Sequence, residues 1–376
     1  MAKRAYIGVN NVARRIKKGY IGVGGVGRKI KKAYIGVGGI ARPFWSGGKP
    51  ALFGEITGLS VARAAPAATT VGNYALFGGG GETNTVDAYS ATLTRSIPSA
   101  LSAGRSDIAA TTVGNYALLA GGIYDNDDRG EVDCYNASLT HTVATPLSSD
   151  KTYLAATTVG GYALFGGGYR TNGAYRMDTV DAYNTSLTRS AATNLSLVRC
   201  WLAATTVGSY ALFGGGRTEG TTVVATVDAY NTSLTRSIPA ELNVSMESNA
   251  ATTVGNYALF GGSDKYTNVV TAYSSSLTRS TPTGFSAGRR RTAATTIGDY
   301  ALFGGGATST SGLGYATTNI VEMYDSSLTH STLNMGTQRF DLSATAVGDY
   351  ALFGGGLPGQ FLTEPKCNSV EAFMLA

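Results

Sequence analysis

The chain is poor in the residues that most often carry chemistry. Of its 376 residues, 2 are histidine and 3 are cysteine. His141 and His330 each stand where a recurring Leu-Thr-Arg-Ser would place arginine, so both read as drift within a repeat. That pattern argues against a histidine metal centre and against a Ser-His-Asp triad. Cys134, Cys200 and Cys367 lie far apart in an odd-numbered set without CxxC spacing. A disulfide framework and a structural zinc site are therefore not expected, and the three thiols read as small buried side chains. Charged residues make up 14% of the chain, against about 25% in ordinary globular domains. No apolar run approaches the roughly 18 residues of a membrane span. The opening Met1-Ala2-Lys3-Arg4 leads into no secretory apolar segment. Membrane insertion and export by a cleaved signal are thus not expected, and synthesis is expected in the cytoplasm. Helical periodicity is also missing.

What is present is glycine, 51 residues, tyrosine, 22 residues, and an uneven charge. Residues 1–50 hold twelve of the 30 basic groups and none of the 24 acidic ones, a charge of +12. The remaining 18 basic and 24 acidic groups give −6, so two parts of opposite sign share one chain. Hydrophobic content of 43% is enough for a sizeable core and too high for disorder.

One phrase recurs seven times, with its tyrosines at Tyr74, Tyr116, Tyr162, Tyr210, Tyr257, Tyr300 and Tyr350. Its first copy reads Ala-Ala-Thr-Thr-Val-Gly-Asn-Tyr-Ala-Leu-Phe-Gly-Gly-Gly, residues 67–80. A second phrase follows each copy, first as Val-Asp-Ala-Tyr at 86–89 and then Leu-Thr-Arg-Ser at 93–96. Each unit reads as four short strands. Gly-Asn or Gly-Asp makes a tight turn between the first two. Tyr-Ala-Leu-Phe is apolar enough to be buried on both faces. Leu-Thr-Arg-Ser, more polar, reads as the outermost strand. Four strands every 42–50 residues, seven times over, predict an all-β, seven-bladed β-propeller.

Residues 50–376 resemble the kelch repeat family. The matching residues are the glycine pairs after an apolar strand (Gly78-Gly79, Gly166-Gly167, Gly214-Gly215) and the third-strand tyrosines Tyr89, Tyr183 and Tyr230. The basic residues Arg63, Arg105, Lys151, Arg199, Arg289 and Arg339 match too, each 11 residues ahead of its repeat tyrosine. Blade five departs, with Met246-Glu247 there. The family's fourth-strand tryptophan is absent, as in a divergent bacterial or viral version. The resemblance implies a four-stranded blade and little about function.

The last copy stops after its third strand. By the 42-residue offset between Arg63 and Arg105, residues 50–56 fall on the fourth-strand position of blade seven. An N-terminal strand is therefore expected to close the ring and remove its open edge. Strand parity then puts the short, constant 1–2 and 3–4 turns on one face. The variable 2–3 loops and the 4–1 loops share the other, where recognition surfaces are commonly built. The expected ligand-binding residues there are Arg105, Arg199, Arg289, Arg290, Arg291 and Arg339, together with the loop aromatics Tyr124, Tyr169, Tyr175, Tyr266, Tyr315 and Phe361. The basic ring admits a second reading, as hydrogen bonding between neighbouring blades. The recurring Asp87, Asp133, Asp181 and Asp228 are expected to be structural. Asp125, Asp127 and Asp128 lack calcium-loop spacing, and no metal, cofactor or catalytic residue is expected. The sequons at Asn136, Asn184 and Asn231 read as turn chemistry.

Residues 1–46 hold a different repeat, of period 14, as three copies of strand, Gly-Gly or Asn-Asn turn, strand. One such hairpin buries too little to stand alone, so stacking on one another or on other chains is expected. These repeats resemble shaft segments of viral attachment proteins, a resemblance that implies a trimer, and Ala-Tyr-Ile-Gly-Val-Gly-Gly segments of prophage tail-associated proteins. Arg14, Arg15, Lys17, Lys18, Arg28, Lys29, Lys31 and Lys32 are the expected anchor to an acidic partner, other virion or tail proteins. Tyr6, Tyr20 and Tyr34 interleave with these charges, but nucleic acid is not the expected partner, since no groove-reading helix is visible. The combined expectation is a non-catalytic attachment protein of a phage or prophage particle, its propeller loops turned to a host-surface glycan or protein. An intracellular kelch-type scaffold is the first alternative. A glycan-cleaving enzyme with carboxylates from distant loops is the second.

Overall fold

A computed structural model describes residues 48–308, 316–359 and 365–375 in full. In residues 1–46 it describes the backbone of six strands. These form three antiparallel hairpins: Tyr6–Val9 with Val12–Arg15, Gly19–Val23 with Val26–Ile30, and Lys32–Val37 with Ile40–Ser46. Each hairpin is one copy of the 14-residue repeat. Lys17, Lys18 and Lys31 lie outside the described residues, as do Tyr315 and Phe361. Only the backbone is described at Arg14, Arg15, Arg28, Lys29 and Lys32.

The rest is an all-β ring of seven four-stranded antiparallel sheets, with no helix among the described residues. Blade one shows the plan. Ala67–Val71 lies innermost, followed by Tyr74–Gly78, Val86–Ser90 and Arg95–Ser96. Val71 pairs with Tyr74, so the first turn is two residues, Gly72 and Asn73. Gly72 takes φ +55°, and a Cβ on it would lie 2.9 Å from the Ala137 Cβ of the next blade. The turn thus needs glycine for conformation and for close approach.

The outer strand is shorter than the sequence predicts. Ser-Leu-Thr belongs to the 3–4 turn, and pairing begins at arginine. In that turn the Asn136 Oδ1 accepts hydrogen bonds from the Ser138 and Thr140 amides, both at 2.9 Å. Asn184 and Asn231 do the same. The sequons are turn chemistry, as expected.

The core is divided into seven wedges, one between each pair of neighbouring blades. Leu76 and Val86 of blade one meet Leu119 and Tyr135 of blade two. Ala75, Phe77 and Tyr89 turn the other way, onto Leu352 and Val370 of blade seven. The third-strand tyrosines are fully buried and donate from the hydroxyl to a loop carbonyl, Tyr89 to Thr57 at 2.9 Å and Tyr230 to Thr193 at 2.7 Å.

Around the axis, each blade's innermost strand presents a free edge. Threonines close it. The Thr112 Oγ1 donates to the Thr70 carbonyl at 2.5 Å and lies 3.0 Å from the Thr69 hydroxyl. The Thr158, Thr206, Thr253 and Thr296 hydroxyls repeat the bond to the preceding blade. Thr70 returns it to Ala346 of blade seven at 2.6 Å. At six of the seven junctions an edge carbonyl that would face the channel unpaired is thereby satisfied.

The ring closes as predicted. Pro50–Ile56 pairs along Val370–Leu375, from Ile56 opposite Val370 to Pro50 opposite Leu375, with a bulge near Phe53. Pro50 therefore lies on the face of the constant turns. The 2–3 and 4–1 loops share the other face and pair within a blade, as Ser106 with Ile123, Thr152 with Tyr169 and Cys200 with Arg217.

Candidate functional site

The predicted basic ring is built differently from its expectation. Arg63, Arg105, Arg199, Arg289 and Arg339 are fully buried, as is Lys151. Each reaches into its blade and pairs with the third-strand acid. The Arg63 Nη2 lies 2.7 Å from Asp87 and donates to the Phe77 carbonyl at 3.0 Å. Arg199 meets Asp228 at 2.6 Å, Lys151 meets Asp181 at 3.1 Å, and Arg339 meets Glu371 at 3.3 Å. Arg105 pairs with Asp133, and Arg289 with Glu322. Arg105, Arg199, Arg289 and Arg339 are thus corrected from ligand contacts to blade-internal pairs, because a buried cation holds its nearest carboxylate. Burial pushes Arg63, Arg199, Arg289 and Lys151 below their usual pKa, against the pull of those carboxylates.

Blade five explains itself by the same pairing. Where the cation becomes Met246, the acid becomes Thr271, and both are fully buried. The histidines also find a role beyond drift. His141 Nε2 sits 2.7 Å from Asp133, and His330 Nε2 sits 2.6 Å from Glu322, each taking the place of the outer-strand arginine. Arg189 makes that contact with Asp181 at 3.0 Å. Burial pushes the Cys134 and Cys200 thiols up to about 12, as inert side chains.

The site emerges two residues beyond each of the six buried cations and beyond Met246 of blade five. Ala65, Asp107, Tyr153, Trp201, Ser248, Arg291 and Asp341 all hold left-handed backbone, with φ between 47° and 55°. All seven line one cavity of about 650 Å³ at the centre of the 2–3 and 4–1 loop face. Part of the ring is tied by its own backbone. The Ala65 amide donates to Asp341 at 2.6 Å, Trp201 to Tyr153 at 3.0 Å and Ser248 to Trp201 at 2.8 Å.

A second left-handed ring supplies the comparison. Leu93, Leu139, Leu187, Leu234, Leu277 and Leu328 take φ 59–63° in the 3–4 turns. There the residue is always leucine, and it packs between blades. At the cavity, six residue types fill seven equivalent positions, and none is glycine. A chain with 51 glycines has put side chains where glycine would relieve strain of about 1–3 kcal/mol each.

The cavity is divided into sectors. Blades three and four give an aromatic wall. Tyr153 and Trp201 have ring centroids 4.7 Å apart, and Tyr169 stacks near Trp201 at 6.3 Å. The Arg217 guanidinium lies 4.9 Å over the Trp201 ring and is fixed by Glu247 at 2.5 and 2.7 Å. Blades six and seven give an ion pair, Arg291 to Asp341 at 2.7 Å. Blade two gives Asp107, which accepts from the Ser106 hydroxyl at 3.3 Å. Burial, then the charge of Asp341, pushes its pKa up to about 6, against the opposing pull of Ser106 and Arg291.

Of the predicted aromatics, Tyr169 reaches this wall. Tyr124 and Tyr175 are exposed, and Tyr266 lies under the Arg290 guanidinium at 5.3 Å. Arg290 also faces Asp264 at 3.6 Å. Of the Arg289–Arg291 run, then, only Arg291 lines the cavity. Asp107, Tyr153, Trp201, Arg217 and Asp341 were not singled out from sequence. For all but Arg217, which lies in a 2–3 loop, the signal was available: the three positions eight to ten residues before each repeat tyrosine vary between a near-constant cation and a near-constant alanine.

No family model matches the chain, and no curated protein matches it. A solved structure titled "Structure of YjhT" is similar to it, with a TM-score of 0.57 and 12% identity. The likeness covers 84% of this chain and 96% of that one. At that identity it speaks for the propeller fold alone.

Proposed function

We propose that this chain is a non-catalytic binding protein whose ligand enters the central cavity of the variable-loop face. In this reading the basic repeats tether it to a phage or prophage particle, and the propeller is turned to a host-surface glycan or protein. One observation carries the reading. Seven equivalent left-handed positions hold varied side chains around one cavity, whereas the left-handed leucines of the opposite face do not vary. Strain kept for the sake of a side chain points to function, and a cavity of about 650 Å³ falls within the size range of small-ligand sites. The charge split supports the tether. The kelch-type scaffold reading rested on the Arg289–Arg291 run, of which Arg289 is buried and Arg291 lines the cavity.

The test uses the full chain on an array of bacterial surface polysaccharides and proteins. Binding should be lost in a Tyr153→Ala/Trp201→Ala variant and kept when the exposed constant-face Thr94 is changed to alanine. Retention by the double variant would refute the site. Absence of the chain from purified particles by mass spectrometry would refute the tether.

A second reading has its own observation. Asp107, with its raised pKa, senses a second carboxylate, Asp341, in the same cavity. Burial pushes both carboxyls up, Asp341 against the pull of Arg291, and glycan cleavage uses two carboxyls, one as acid and one as base or nucleophile. Turnover of a bound polysaccharide that disappears in Asp107→Asn would favour it.

A further inference from the structure

The cavity holds polar groups that have no partner among the described residues. Directly after the left-handed ring, blades two, three, four and seven carry Ile108, Leu154, Leu202 and Leu342, which line the cavity and pack into the wedges between blades. Blades five and six carry Asn249 and Thr292. Both line the cavity. The Asn249 amide oxygen and nitrogen and the Thr292 Oγ1 are buried, and none has a hydrogen-bond partner among the described residues. Buried groups of this kind are rare and disfavour folding unless something else satisfies them. An amide that offers one acceptor and two donors matches hydroxyl groups, which also donate and accept.

Charge narrows the class. Among the described residues, the lining cations are Arg217, Arg291 and Lys366, and the lining acids are Asp107, Glu247, Asp264 and Asp341. Most are already matched, Arg217 by Glu247 and Arg291 by Asp341. A cationic ligand would have to share Trp201 with the Arg217 guanidinium that lies over it. An anionic ligand would face Asp107. A neutral ring with hydroxyls at its rim carries no charge for Arg217 or Asp107 to repel, and the Tyr153–Trp201 wall offers its apolar face a stacking surface beside the Arg217 guanidinium.

We propose that the cavity binds one neutral sugar ring, stacked on Tyr153 and Trp201 and hydrogen-bonded through its hydroxyls to Asn249, Thr292 and Asp107. This rests on the cavity being the ligand site and adds the class of ligand.

The experiment uses the full chain carrying Trp45→Phe, which leaves Trp201 as the sole tryptophan. Its fluorescence is titrated with methyl glycosides of glucose, galactose, mannose and N-acetylglucosamine. Tetramethylammonium and glucuronate serve as charged probes. A saturable change is expected with at least one neutral glycoside. Asn249→Leu installs the residue that blades three, four and seven already tolerate. It is expected to weaken that binding by about tenfold or more while raising the thermal midpoint. Asp107→Asn keeps a side chain suited to left-handed backbone and should weaken binding as well. Saturation by a charged probe alone would overturn the sugar and keep the cavity. Unchanged binding in Asn249→Leu would overturn the assigned contacts. No saturation by any probe would overturn the proposal. If a polysaccharide from the array still binds after Trp201→Ala, the cavity itself is wrong.

Discussion

At the residue scale, two kinds of buried charge do different work. The blade-internal pairs are matched, and the Met246/Thr271 pair of blade five shows the apolar solution to the same space. Changing Arg199→Met alone should lower unfolding free energy by about 3–5 kcal/mol, since Asp228 is left buried with its strongest partner gone. Adding Asp228→Thr should recover most of that loss. Urea titrations of the four-member cycle measure the coupling, and a double variant as weak as the single would overturn the pairing. Asp107 is the opposite case. Its pKa is raised to about 6 by burial and Asp341, opposed by Ser106 and Arg291, with Tyr153 also beside it. Above pH 6 its ionised form disfavours the fold; between pH 6 and about pH 4 the folded state takes the proton first and stability rises. Asp107→Asn should therefore stabilise by about 1–2 kcal/mol at pH 8, after allowance for partial solvent access, and the gain should fade towards pH 4. A gain independent of pH would contradict this. Stability given up at one carboxylate in a cavity is the signature of a residue kept for binding.

At the element scale, the innermost strands show how an edge is closed without another strand. Six threonine hydroxyls donate across the blade junctions, to Thr70, Thr112, Thr158, Thr206, Thr253 and Ala346. The junction between blades six and seven lacks one, because Ala346 stands where the other blades carry the second threonine. Ala346→Thr should complete the circle towards the Thr296 carbonyl and add about 0.5–1.5 kcal/mol, the net worth of one hydrogen bond. The readout is the unfolding midpoint together with slower amide exchange along Ser343–Val347. A lowered midpoint would mean that blade seven sits too close to blade six for the side chain.

At the scale of the whole molecule, the closing strand governs integrity. Several outer strands are two residues long, as at Arg95–Ser96, Arg236–Ser237 and Arg279–Ser280. Pro50–Ile56 is seven residues long and pairs along the whole of Val370–Leu375. The one blade assembled from distant parts of the chain thus has the most extensive outer pairing. A chain from residue 47 should keep the unfolding midpoint of the full chain. A chain from residue 57 should lose cooperative unfolding and aggregate through the exposed Val370–Leu375 edge. Equal midpoints for both truncations would show that the ring does not need its closing strand.

Periodicity alone determined the seven blades, the two-residue turns, the closing strand and the face on which the loops gather, because each follows from local strand length and parity. It also placed the basic residues on that face. Tertiary structure decided what they do there. Sequence spacing locates Arg199 and Asp228 29 positions apart, but only the fold turns both into one wedge and removes the arginine from solvent. The cavity was visible as a varying position and unreadable as a site, since left-handed backbone and convergence of seven loops on one axis are properties of the closed ring. The unpartnered amide of Asn249 is of the same kind. A residue is orphaned only once its neighbours are in place, and that is fixed by packing between blades.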